Sequence, residues 1–314
     1  ALRVLDTEDL HSLRKGRQQA FKDDKPFNTP YLFNDIAKRE IASIYRSDLS
    51  LIISEAEIEI LKNQFKVDAP LLLYLPFMLD DISKKSAENL PNFEERQHFI
   101  TIGNFLHEPN YNTALYLKET IWPLIRKQLP KAEIHIYGSY ASQKVNQLHN
   151  KKEGFLIKGF AEDVNEVMQQ VSVCLAPIRF GAGLKGKLVD AMQNGTPCVM
   201  STIAAEGIFG NLETNGFIED NPTEFANKSV QLYNEEDVWK EKQENGFLII
   251  NTRFSKKKYQ QIFLNQIVES TQQLHENRQN NFTGQMLMHH SLQSTKFMSK
   301  WIEEKQKEHY NYNI

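Results

Sequence analysis

Short apolar runs alternate with longer stretches of helical period through most of the chain. The runs predict strands at Leu2–Leu5, Leu49–Ser54, Leu71–Leu75, His98–Gly103, Glu133–Tyr137, Phe155–Lys158, Val171–Pro177 and Cys198–Thr202. Strands joined through helices make right-handed parallel crossovers, so the pattern predicts an α/β chain with parallel sheets. LSLII, LLLYL and VSVCLA are apolar throughout, as expected of strands covered on both faces. Ser54 with Glu57 three residues on, at a strand-to-helix junction, predicts a capping box.

The alternation lapses in a polar stretch, Lys84–Asn92, which reads as a domain boundary. The 314 residues suggest two domains at roughly 100–200 residues each. The expected division is 1–92 for a first domain, 93–270 for a larger second one and 271–314 for a tail. LRVLD at the start already looks like a strand and no methionine leads it, so the first domain reads as incomplete. The tail is polar up to Gly284 and then amphipathic. Phe297/Trp301 and Met298/Ile302 are i, i+4 pairs, which predicts a helix packed on the body. Membrane contact is the less favoured reading, because Glu303, Glu304 and Glu308 offset Lys305 and Lys307.

Composition narrows the function classes. Hydrophobic residues at 40% and charged residues at 25% suit a globular chain. A net charge of −3 offers no global basic field, so nucleic acid is not an expected partner. No apolar run approaches the roughly 18–20 residues that span a bilayer. Cys174 and Cys198 sit inside apolar runs and form no C-x-x-C pair, so they read as buried, reduced thiols of a cytoplasmic protein. His289 and His290 would diverge on a helix, and no metal site is expected.

The chemistry concentrates in Pro177–Pro197. A strand ends at Pro177, a loop carries Gly181, Gly183 and Gly186, and a helix follows that Gly195 would close. Glycines let backbone approach a ligand closely, and a helix N-terminus presents unpaired N–H groups and a positive dipole. Arg179, Lys185 and Lys187 add three cations. Gly183, Lys187, Asp190 and Asn194 share one helical face, so a phosphate and a ribose hydroxyl pair could be held together. Gly181–Gly186 also matches G-x-G-x-x-G, with Glu206 20 residues after Gly186. A dinucleotide reading is disfavoured: the motif follows several βα units rather than opening the sheet, Glu206 lies past the next strand, and lysines suit a free diphosphate.

From Gln97 to Ser270 the chain resembles the retaining glycosyltransferases of the GT-B fold, family 4, also called group 1. The resemblance rests on Ile102–Asn110, Ile121-Trp122-Pro123, Ile136-Tyr137-Gly138, Lys158-Gly159-Phe160, Ala176–Lys187 and Ala205-Glu206-Gly207. Leu5–His11 and Ile52–Glu57 resemble the later part of the family's first domain. The resemblance implies two Rossmann-like domains facing a cleft, a nucleotide-diphosphate-sugar donor on the second, an acceptor on the first, and transfer with retention and without metal. Carried over by position, Arg179, Lys185 and Lys187 would contact the diphosphate, and Asp190 replaces the second glutamate of the family's E-x7-E pattern. Ala182 replaces the first glutamate, and Asn104 stands where many members have arginine. Gly103, Asn104, Gly138, Phe180, Gly181, Ala182, Gly183, Leu184, Asp190 and Glu206 complete the expected donor site. His107 and His11 join the catalytic candidates, and Asp6 and Asp9, at a strand end, the acceptor side. The implied setting is polysaccharide or cell-envelope glycan synthesis, with a glycan or lipid-linked acceptor and peripheral membrane contact at most. The rival readings are a non-catalytic nucleotide-sugar-binding fragment and a nucleotide-sugar epimerase of the same fold.

Overall fold

The computed structural model describes residues 1–311, with side chains described through residue 306. Two parallel sheets organise it. The first holds β1 (Val4–Asp6), β2 (Leu49–Ile52) and β3 (Leu72–Tyr74) in the order β1-β2-β3. The second holds β4 (Phe99–Ile102), β5 (Ile134–Tyr137), β6 (Phe155–Gly159), β7 (Val173–Ala176), β8 (Cys198–Met200) and β9 (Gly216–Ile218). Its order is β6-β5-β4-β7-β8-β9, all parallel. Chain order therefore reverses between β4 and β7, and such a switch point opens a crevice at the carboxyl ends of the strands.

The fully apolar runs lie where both faces are covered. Cys174 and Ala176 of β7 face one core with Leu188, Met192 and Ile250, while Val173 and Leu175 face another with Phe99, Trp122 and Phe225. Both cysteines are buried and unbridged. A third core lies beneath the first sheet, around Leu13, Ile44, Ile52 and Leu61.

Three expectations are corrected. The pattern gave no strand at β9. The predicted capping box does not form: Ser54 makes no side-chain cap, and Glu57 reaches elsewhere. The tail forms a helix, Phe282–Asn311, whose start packs on the helix Asp35–Arg46, where Asn281 donates to the Tyr45 carbonyl. Phe297, Met298, Trp301 and Ile302, however, are exposed rather than packed. Residues 312–314 of the tail lie outside the described residues. No helix among the described residues is long and apolar enough to cross a membrane.

The chain passes between the sheets after β3 and returns with the helix Lys256–Gln272. The two passages touch, since the Leu79 N–H donates to the Phe254 carbonyl and the Lys256 N–H to Leu79.

Candidate active site

A cavity of about 630 Å³ opens at the switch point and is walled by both domains. From the second sheet come Gly103, Asn104 and His107 after β4, Gly138 after β5, and the loop Gly181–Lys187 with Asp190 after β7. From the first come Asp6 at the end of β1, Asp9 after it, and Arg14. Gly138 has to be glycine, because a Cβ there would lie 2.1 Å from the Gly103 carbonyl oxygen. Gly183 has φ +64°, and its Cβ would lie 2.8 Å from that of Asp9, so the loop runs against the first domain.

The helix Gly186–Gln193 begins at this loop. Its first-turn N–H groups and dipole favour an anion. Gly195 follows its end at φ +64°, as the sequence predicts. Lys185 and Lys187 are both buried. The Lys185 ammonium donates to the Ala182 and Gly183 carbonyls at 3.0 and 2.6 Å. Lys187 donates to Asn110 at 3.1 Å and makes no ion pair with a carboxylate among the described residues. Burial lowers both ammonium groups to about 8. It also raises the Asp190 carboxyl to about 6. Cations buried with so little compensation, beside a carboxylate in a crevice, mark a ligand site.

Arg179, Phe180, Glu206 and His11 stand outside the cavity wall. Arg179 does not line the cavity. Its Nε donates to Asn112 at 2.9 Å, and its guanidinium lies over the Phe21 and Tyr116 rings. Phe180 is buried against Phe21, with ring centroids 5.2 Å apart. Glu206 is taken by Arg17, whose guanidinium gives two bonds of 2.8 and 2.7 Å. Burial would raise the Glu206 carboxyl, but Arg17's hydrogen bonds and charge hold it below its usual range. His11 pairs with Asp9 at 3.3 Å and lines an adjoining pocket of about 310 Å³ behind Asp6 rather than the main cavity. Ala182 lines the cavity and also packs on the first domain's core. His107 is the exposed N-cap residue of the helix Glu108–Tyr116 and reaches the rim. Asn104 orders its own turn, accepting from the Leu106 N–H and, at its carbonyl, from Asn110.

The sequence reading missed Arg14, which bonds Asp9 at 2.7 Å, Arg17 and Glu57. Arg17 meets Glu206, and Glu57 meets Gly183, across the domain junction, where no spacing rule reaches. A cluster of His98, Glu133 and His135 sits at the opposite ends of β4 and β5. His98 Nδ1 accepts the Glu133 N–H, which keeps the proton on Nε2 and works against a metal there.

Residues 96–235 match the family described as glycosyl transferases group 1. No curated protein compared with the chain matches it. Among solved structures, a variant of S. aureus TarM in complex with Fondaparinux, alpha-GlcNAc-glycerol and UDP has a TM-score of 0.63 at 19% identity, over 77% of this chain and 48% of that one. The pneumococcal O-GlcNAc transferase GtfA, in complex with UDP and GlcNAc, gives 0.58 at 17%, over 76% and 48%. Anabaena HepE, in complex with UDP and glucose, gives 0.59 at 16%, over 81% and 74%. The chain thus spans about half the length of TarM and GtfA. At these identities the likeness speaks for the fold. Over residues 96–235 the chain is therefore similar to the glycosyl transferases of group 1, and its two parallel sheets about a crevice have the GT-B fold.

Proposed function

We propose that the protein transfers a hexose-type sugar from a nucleotide-diphosphate sugar to a glycan or lipid-linked acceptor, with retention of configuration and without a metal. One observation carries the reading: two buried lysines, a glycine loop and a helix N-terminus converge on one cavity with Asp190. Lys185, Lys187 and the loop N–H groups face the leaving diphosphate and stabilise the charge that develops on it. Asp190 holds the ribose hydroxyls, and the departing phosphate guides the acceptor's proton. Asp6, Asp9 and Arg14 face the acceptor across the cavity. UDP in the TarM, GtfA and HepE structures supports a uridine donor. Polysaccharide or cell-envelope glycan assembly is the setting we infer.

Calorimetry with UDP and GDP on wild type and Lys187→Ala tests this. A loss of at least tenfold in affinity is expected, and unchanged affinity would remove the lysine from the site. The alanine at position 182, packed into the first domain's core, favours a second reading, binding without transfer. Release of free sugar or product from UDP-sugars separates the two.

A further inference from the structure

Glu57 is fully buried in the helix Glu55–Asn63 of the first domain. One of its oxygens, Oε1, accepts two backbone N–H groups. One comes from Leu10, the residue before the helix His11–Lys22, at 3.1 Å. The other comes from Gly183, in the loop of the second domain, at 2.8 Å. Gly183 sits at a positive φ against Asp9, so its N–H has a narrow choice of partners. The second oxygen, Oε2, is buried and has no hydrogen-bond partner among the described residues. An ionised carboxylate with an empty second oxygen is costly, whereas the neutral acid still accepts both N–H groups at Oε1.

We propose that Glu57 is the positioning residue of the donor loop, a single carboxyl group that seats Gly181–Lys187 against the first domain and does so best as the neutral acid. The name donor loop rests on the function proposed above; the seating does not. Several charged groups surround the carboxyl. Asp9, on the β1 side, disfavours its ionisation, while Lys185, on the loop, favours it. Arg14, His11 and Glu40 act on Asp9, and Arg17 and Glu206 act on Lys185. The Leu10 and Gly183 N–H bonds also favour ionisation, but burial outweighs all of these and lifts Glu57 to about 7.

The sign follows from linkage. A carboxyl whose pKa is higher when seated than when released favours the seated loop fully below the released value, about 4.3. That advantage fades as pH rises toward about 7 and is constant above it. Seating therefore weakens from acid to neutral pH.

Hydrogen–deuterium exchange of residues 180–187 in the full chain, without nucleotide and corrected for intrinsic exchange, tests this. Wild type should open roughly 80-fold more at pH 8 than at pH 5. Glu57→Gln keeps an acceptor and cannot ionise. It should lose that dependence and protect the loop better than wild type at pH 8. Glu57→Ala should expose the loop at every pH. If Glu57→Gln follows the wild-type profile, or if the wild-type profile is flat, the proposal fails, whether or not the alanine variant folds. A parallel UDP titration keeps the two readings apart. Absent UDP binding with an intact exchange result sinks the nucleotide reading alone.

Discussion

Arg17 of the first domain grips Glu206 of the second through two hydrogen bonds and donates a third to the Gly181 carbonyl at 2.9 Å. The pair is mostly shielded, with 13% and 26% of the two side chains exposed. Removing one partner leaves the other short of compensation. Arg17→Ala should cost about 1–3 kcal/mol in urea unfolding. Arg17→Lys should recover little, because an ammonium cannot bond both carboxylate oxygens in the fork geometry.

Gly183 combines a left-handed backbone with the close approach to Asp9. Gly183→Ala should lose about 1–3 kcal/mol in the same measurement. It should also weaken UDP binding more than Gly186→Ala does, since a Cβ at Gly186 meets nothing within 4 Å.

Nucleotide affinity should be bell-shaped in pH. An anionic diphosphate needs Lys185 and Lys187 protonated, and burial sets them at about 8. Holding the ribose as an acceptor pair needs Asp190 ionised, and burial sets it at about 6. UDP titrations across pH should therefore peak between these values. Asp190→Asn should flatten the acid limb and leave the alkaline one.

Arg179→Ala should separate packing from binding. The guanidinium is sandwiched by Phe21 and Tyr116 outside the cavity. A stability loss of about 1–2 kcal/mol is expected with UDP affinity changed less than about threefold. A tenfold loss of affinity would return Arg179 to the diphosphate.

Asp48 ties the tail to the first sheet. Burial would raise its carboxyl, but hydrogen bonds from Arg278 and Arg3 hold it well below the usual carboxylate range. A depressed carboxyl stabilises the fold above its unfolded value of about 3.9, and the gain is lost as pH falls through the folded value. Melting temperature should therefore drop more steeply below about pH 4 in wild type than in Asp48→Asn.

How much was legible depended on how local the signal was. β7 and the loop after it follow from a solid apolar run, then glycines and lysines, all within reach of one another in sequence. β9 was not legible: it has three residues and begins with Gly216, whose Cβ would collide with the Cys198 carbonyl. The lysines and Asp190 fall in the cavity because their helix fixes their phase. Glu206 and Glu57 read differently in sequence because Arg17 and Gly183 reach them across the domain junction, and Arg179 because Asn112, Tyr116 and Phe21 are all distant in sequence. For Glu57 the capping-box spacing was present, but a backbone N–H 126 residues away competed for the same oxygen.

The two passages bond to each other at Leu79 and Phe254–Lys256. The outgoing and returning crossings therefore form one paired seam, and the lobes are fastened on both sides, by that seam and by the Arg17–Glu206 and Glu57–Gly183 contacts.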